Sequence, residues 1–448
     1  MITRRNFIRI GAATVGTMAL RPFGLLPALA QNGGDYRALV CVFLFGGNDS
    51  NNMIIPTDDA NFKAYTSIRG SIALASTELS TAVTDAATGA PYAFHGKLPE
   101  VGSLFASKEL AVVANVGALV QPLTKAQYLA QQVPIPLNLF SHLDQQQTWQ
   151  TSIAQGRSPT GWAGRAADYI ASQNINSSSF PTFFSVAGNV QMGTGAETQP
   201  VAIAPGGSLQ LAGFNTSAAS QARWSALNNL LSLPSGVALV QAANNILANS
   251  ISDATALSNA LVTAKPFKTQ FPNTGIGQQL KQVAQIIQVQ SVLGMQRQIF
   301  FCSVGGFDTH VAEGPTLNQL YPQLSPAVAA FYNATQEINV AQNVTIFTES
   351  DFSRTFQPNS NLGSDHGWGT HQLVLGGAVQ GGRIYGKFPT FQLGGPDDTD
   401  VRGRWIPTIA IDQYGATLCS WFGIPDSALA TVFPNLSNFP TAKLGFLG

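Results

Sequence analysis

Leu39-Val40-Cys41-Val42-Phe43-Leu44-Phe45, followed at once by Gly46-Gly47-Asn48-Asp49-Ser50-Asn51-Asn52, is the stretch that decides the fold. An unbroken apolar run rich in Val and Phe lacks the alternation of a half-solvated strand. It has the composition of a parallel strand covered on both faces. The polar residues then sit where open α/β sheets build their sites, just past the carboxyl end of a strand.

Two later stretches repeat this form. Ile299 to Val304 leads into Gly305-Gly306-Phe307-Asp308-Thr309-His310, and Val344 to Phe347 leads into Thr348-Glu349-Ser350-Asp351-Phe352-Ser353-Arg354. Leu110 to Val116 predicts a fourth strand. Between the second and third strands, Leu324, Val328, Phe331, Thr335 and Ile338 recur at spacings of four and three, which predicts a helix. Leu280, Val283, Ala284 and Ile287 predict another before the second strand. Strand, helix, strand repeats give the expected class: α/β, a doubly wound, mostly parallel sheet with helices on both faces.

Residues 1–30 read as a twin-arginine export leader. Thr3-Arg4-Arg5-Asn6-Phe7-Ile8-Arg9 precedes a weakly apolar run, Ile10 to Leu20, and the segment closes on Ala28-Leu29-Ala30. Eleven weakly apolar residues fall short of a bilayer span at about 1.5 Å per residue. The expectation is passage through the Tat translocase in folded form to the periplasm or beyond, with no integral membrane segment after cleavage. Residues 31–448 then form one domain, with 205–275 as a helical cap insertion. That stretch is rich in Ala, Ser, Asn and Leu and punctuated by Pro205, Pro234 and Pro266.

The whole chain has 23 basic and 23 acidic residues. Removing the leader with Arg4, Arg5, Arg9 and Arg21 leaves 19 basic residues and a mildly acidic protein. This excludes the basic footprint of a nucleic-acid-binding protein. Cys41, Cys302 and Cys419 read as free, buried and inert.

Three of the five histidines, His310, His366 and His371, lie beside carboxylates in the polar clusters, the last two within Asp365-His366-Gly367-Trp368-Gly369-Thr370-His371. Imidazole with carboxylate is the donor mixture of zinc, manganese or iron sites. Ser141, in Phe140-Ser141-His142-Leu143-Asp144, reads either as a helix N-cap with His142 as its neighbour, or as a nucleophile at a helix start. Arg354 reads either as a bidentate clamp for an anionic group or as a salt-bridge partner of Asp351 or Glu349. His95 has no carboxylate companion and reads as structural.

Phe43-Leu44-Phe45-Gly46-Gly47-Asn48-Asp49, Phe140 to Asp144, Gly161-Trp162-Ala163-Gly164-Arg165, Gly305 to His310 and Asp365-His366-Gly367 occur together and in order. So do Gly376-Gly377, Gly381-Gly382-Arg383 and Tyr385-Gly386. In these the chain resembles, along nearly all its length, the bacterial Tat-exported domain-of-unknown-function family 1501, placed with the alkaline phosphatase and sulfatase-like superfamily. The resemblance implies metal-binding Asp and His residues at strand ends. It makes Asp49 the ligand after the first strand, Asp308 and His310 a ligand pair, and Ser141 the nucleophile. It also implies an Asp-His dipeptide directly after a strand, where this chain has Asp351-Phe352. Either the later loop folds back to supply Asp365 and His366, or Asp351 is the ligand with His366 as its partner.

The expected metal residues are therefore Asp49, Asp308, His310, Asp351, Asp365, His366 and His371, holding one or two divalent ions, zinc first and manganese or iron as alternatives. The expected function is an exported metal-dependent hydrolase of phosphate or sulfate esters, acting on an anionic ester or saccharide-type substrate. The alternative is a non-catalytic binding protein of the periplasm or cell surface on the same fold.

Overall fold

The central strand, β1 (Arg37–Leu44), is flanked on both sides by parallel neighbours in matched register. In the computed structural model, which describes residues 36–178, 180–206, 217–234 and 236–448, Leu44 lies beside Val304 of one neighbour and Ser350 of the other. The three strands thus end together, and the loops beginning at Phe45, Gly305 and Asp351 leave the sheet side by side. The leader expected at 1–30 lies outside the described residues. The chain divides into two units, Met1–Tyr36 and Arg37–Gly448, and the sheet, its helices and the polar loops all belong to the second.

In chain order the other strands are β2 (Ile54–Pro56), β3 (Val83–Thr84), β4 (Pro91–Phe94), β5 (Leu110–Gly117), β6 (Phe183–Ser185), β7 (Val201–Ala202), β8 (Arg297–Val304), β9 (Val344–Ser350), β10 (Thr370–Leu375), β11 (Ile384–Gly386) and β12 (Ile409–Ala410). The main sheet runs β11-β5-β10-β9-β1-β8-β6-β7, with β12 also on β5, while β2, β4 and β3 form a small sheet of their own. The fold is mixed α/β with a mostly parallel central sheet. All four expected strands belong to that sheet. β10 is antiparallel to both β9 and β5, and it falls where the sequence reading placed a loop.

Every residue from Ala38 to Leu44 is buried, so both faces of β1 are covered, as its lack of alternation requires. Leu39, Cys41 and Phe43 share one apolar core with Trp162, Ala166 and Ile170 of the helix Trp162–Ser172 and with Tyr414, Leu418 and Phe422 of the helix Ile411–Phe422. The predicted helical patterns lie in Gly275–Gln288 and Glu313–Glu337, where Leu280, Val283, Ala284, Ile287, Leu324, Val328, Phe331 and Thr335 are all buried. Within 205–275 the described residues form the helices Ala218–Ser232 and Ala238–Leu261. All three cysteines are free and buried. Among the described residues no helix is long and apolar enough to cross a membrane.

One close approach fixes the geometry beneath the strand ends. Gly46 has φ +110°, and a Cβ there would stand 2.5 Å from the backbone nitrogen of Asp308. Only glycine permits both that conformation and that contact.

Candidate metal centre

Four side chains converge above the ends of β1, β8 and β9. Asp308 and His310 come from the loop after β8. His142 opens the helix His142–Thr151. His366 arrives because the long loop after β9 folds back on itself: Arg354 and His366 form an antiparallel bridge, and the Gly367 N–H donates to the Ser353 carbonyl at 2.8 Å. One ligand atom from each of His142, Asp308, His310 and His366 lies within 4.8 Å of the others.

Asp308 Oδ1 is 3.3 Å from His142 Nε2, 3.3 Å from His310 Nε2 and 3.9 Å from His366 Nε2. The His310 and His366 Nε2 atoms are 2.8 Å apart. Each ring is held from behind through its other nitrogen: His142 Nδ1 by Asp351 Oδ2 at 2.7 Å, His310 Nδ1 by Asp365 Oδ1 at 3.2 Å, and His366 Nδ1 by the Phe140 carbonyl at 2.6 Å.

These partners settle the tautomers of the neutral rings. A carbonyl or a carboxylate can only accept, so each Nδ1 carries the proton and each Nε2 presents a lone pair. Three lone pairs and a carboxylate then face one another with no donor hydrogen between them. A cation satisfies that arrangement, and rings backed by carboxylates or carbonyls are the usual support of metal-bound histidines.

Electrostatics agree with the geometry. The hydrogen bond that His142 donates to Asp351 raises the His142 pKa, whereas desolvation lowers that of His366. Burial pushes the Asp308 carboxyl up, but Arg354, His142 and His310 outweigh it and hold the group below its ordinary range. Asp308 is 51% exposed, so one side of the cluster is open to solvent.

The remaining expected site residues fall into three positions. Asp351 and Asp365 stand behind imidazoles: Asp351 is buried and also accepts from Gln146 Nε2 at 2.8 Å, and Asp365 is gripped by Arg402 at 2.7 Å. The loop folds back, as one of the two expected arrangements required, but it delivers His366 to the cluster and leaves Asp365 to orient His310. Arg354 is fully buried and cannot clamp a substrate. Its guanidinium donates to the carbonyls of Gly46, Gly47 (2.9 Å) and Phe307 (3.1 Å) and to Asp308 Oδ1 at 2.6 Å. Its ion-pair partner is Asp308, in place of Asp351 or Glu349. Ser141 is the N-cap of its helix, its Oγ accepting from the Asp144 N–H at 3.4 Å.

Asp49 and His371 lie outside the cluster. Asp49 is buried, caps the short helix Ser50–Met53 and pairs with Arg69, which also binds Glu313 at 2.9 Å. His371 sits on β10, and its Nδ1 accepts from the Asn115 N–H at 3.0 Å. Burial pushes its pKa down to about 3, so it is a neutral core group. His95 is likewise buried, accepts from the Lys97 N–H at 3.0 Å and has its pKa lowered to about 4 by burial.

His142 is the functional residue that the sequence reading set aside as a neighbour of the cap. A signal was present: with Ser141 as cap, the next side chain is free to project past the helix end. Three imidazoles and one carboxylate suit the four-coordinate preference of zinc and also suit manganese or iron. Among the described residues no second such group gathers.

A family model described as "Protein of unknown function (DUF1501)" matches residues 36–400. The chain belongs to that family. Four of the motifs that carried the resemblance lie at this cluster: Gly46-Gly47 under Arg354, Phe140 to Asp144 at His142, Gly305 to His310 at Asp308 and Asp365-His366-Gly367 at His366. No curated protein matches this family member. Among solved structures, Ps i-CgsB is 10% identical at a TM-score of 0.36, covering 91% of this chain and 77% of its own. The zinc complex of the C-terminal periplasmic domain of EcEptC from Escherichia coli is 10% identical at 0.32, covering 77% and 74%. Phosphonate monoester hydrolase of Agrobacterium radiobacter is 11% identical at 0.30, covering 87% and 74%. TM-scores of this size carry no argument about the site.

Proposed function

We propose that this member of the family is an exported, metal-dependent hydrolase of phosphate or sulfate esters, built on an alkaline phosphatase-like doubly wound sheet. One divalent ion, zinc first and manganese or iron as alternatives, is held by His142, Asp308, His310 and His366. The observation that carries the reading is the convergence of three imidazole Nε2 atoms on a half-exposed carboxylate. A divalent ion there supplies Lewis-acid polarisation of an ester oxygen and a lowered pKa for a neighbouring water.

The chain's own residues do the rest. Asp351, Asp365 and the Phe140 carbonyl fix the three rings, and Arg354 fixes Asp308, so the donors are held ready before an ion arrives. The open side at Asp308 and His310 admits the ester. Ser141 Oγ accepts from the Asp144 N–H in the helix cap, and water is taken as the attacking group. Export through the Tat translocase to the periplasm rests on the residue 1–30 leader.

Elemental analysis of protein purified without chelator tests this, together with release of nitrophenol from phosphate and sulfate esters. One ion per chain with chelator-sensitive turnover is expected. Metal-loaded protein inactive on the whole panel would overturn the hydrolase and leave a metal-binding protein.

A further inference from the structure

Resting on that hydrolase reading, we infer that the centre selects singly charged esters carrying an apolar substituent, phosphodiesters and sulfate monoesters ahead of dianionic phosphate monoesters. Two independent features of the cluster point there.

The first is charge. Around the four donors stand three carboxylates, Asp308, Asp351 and Asp365, and two guanidiniums, Arg354 on Asp308 at 2.6 Å and Arg402 on Asp365 at 2.7 Å. Together they leave one negative charge, which a divalent ion turns into a single positive one. Each arginine already has a carboxylate partner, and Arg402 keeps an Nε without a partner among the described residues. Arg354 is buried among carbonyls, Arg402 holds Asp365, and Arg404 donates to the His366 carbonyl at 2.9 Å and to Asp400 at 2.6 Å. A monoanion balances such a site. A dianion adds a charge with no further cation to meet it, beside Asp308 and Asp365, and like charges at contact range oppose binding.

The second is the rim. Leu143 is 72% exposed, Val311 60% and Leu362 57%. Leu143 directly follows His142, and Val311 directly follows His310. Leu362 runs alongside, since its carbonyl accepts from the Glu313 N–H at 2.9 Å and that of Asn361 from the Ala312 N–H at 3.2 Å. Single exposed leucines are ordinary, but here three exposed aliphatic residues lie in the segments that carry the ligands, next to His142, next to His310 and in the loop leading to His366. An aryl or alkyl group on the ester would cover them and gain the free energy of apolar burial.

The test uses the zinc-loaded chain. Turnover is measured on bis(4-nitrophenyl) phosphate, 4-nitrophenyl sulfate and 4-nitrophenyl phosphate, and calorimetry gives the affinities for diphenyl phosphate and phenyl phosphate. We expect at least one monoanion to exceed 4-nitrophenyl phosphate in kcat/KM by about tenfold, and diphenyl phosphate to bind about tenfold more tightly than phenyl phosphate. Leu143→Asn and Leu362→Asn should each weaken diphenyl phosphate binding by about fivefold, with zinc content and Tm unchanged. Equal or faster turnover of 4-nitrophenyl phosphate, or equal affinity for the two phenyl ligands, overturns the inference and leaves the hydrolase standing. Zinc-loaded protein that turns over none of the three esters overturns the hydrolase, and this inference with it.

Discussion

His142 Nδ1 and Asp351 Oδ2 meet at 2.7 Å although 209 positions separate them in the chain. One residue opens a helix and the other directly follows a central strand, so the contact couples the outer element to the sheet. It also points His142 Nε2 at Asp308, His310 and His366. A carboxylate behind a ring orients the ring and raises its basicity, and losing such a partner typically weakens metal affinity by about 10–100-fold.

The first prediction comes from that pair. Asp351→Asn should weaken zinc binding by about 10–100-fold, and His142→Ala should lose the ion. His371→Gln should keep it. Metal-competition titration of the three variants checks this, and full occupancy in His142→Ala would remove that residue from the centre.

A second prediction separates Asp49 from the ligands. With Arg69 and Glu313 it forms a buried ionic group, all three fully excluded from solvent. Glu313 also accepts from Thr309 Oγ1 at 3.3 Å and from Ser364 Oγ, so the group anchors both of the loops that carry the cluster. Removing Asp49 leaves Arg69 and Glu313 paired with each other and takes away one buried charge-assisted hydrogen bond, which costs about 1.5–3 kcal/mol. Asp49→Ala should therefore lower stability on that scale in urea denaturation while keeping one zinc per chain. Loss of zinc at unchanged stability would make it a ligand.

The sheet was legible in the sequence because β1, β8 and β9 are buried on both faces and therefore read as unbroken apolar runs. β10 was not, since Thr370-His371-Gln372 gives its first half a polar texture although every residue from Thr370 to Leu375 is buried. That is why His371 looked like a loop ligand. Asp308, His310 and His366 were legible as histidines and carboxylates at strand ends. The division between donors and the carboxylates behind them was not, because Asp365 and His366 are adjacent in sequence, and only the bridge to Arg354 decides which one faces the cluster. His142 comes from a helix start far from the other three, and neither spacing nor composition reports that tertiary contact. Arg354 next to a site looked like a substrate clamp, but the carbonyls of the two glycine turns consume its donors.

The third prediction concerns Ser141. Its hydroxyl caps a helix of ten residues, and losing an N-cap serine costs about 1 kcal/mol. Ser141→Ala should show that loss in thermal unfolding and keep both zinc and turnover. Abolished turnover in a zinc-loaded Ser141→Ala would instead make the serine the attacking group.

The last prediction is a pH dependence away from the metal. His371 is buried neutral, and desolvation lowers its pKa to about 3. Unfolded, it titrates near its ordinary value of about 6.5. Above that value neither state binds the proton, so the group's contribution to stability is fully present. Between about 6.5 and 3 the unfolded chain binds a proton that the folded chain refuses, and stability falls with pH by up to about 1.4 kcal/mol per unit. His95, lowered to about 4 by burial, works in the same direction. His371 and His95 should thus withdraw stability as pH drops from 7 toward 4, while the buried Asp412 carboxyl, raised by burial to about 7, adds stability over the same range. His371→Gln should start lower at pH 7, because the Asn115 N–H loses its acceptor, yet show a shallower slope. Chemical denaturation at several pH values, on protein stripped of metal so that proton-linked metal release does not contribute, measures both. An unchanged slope in the variant would mean that His371 gains its proton without unfolding.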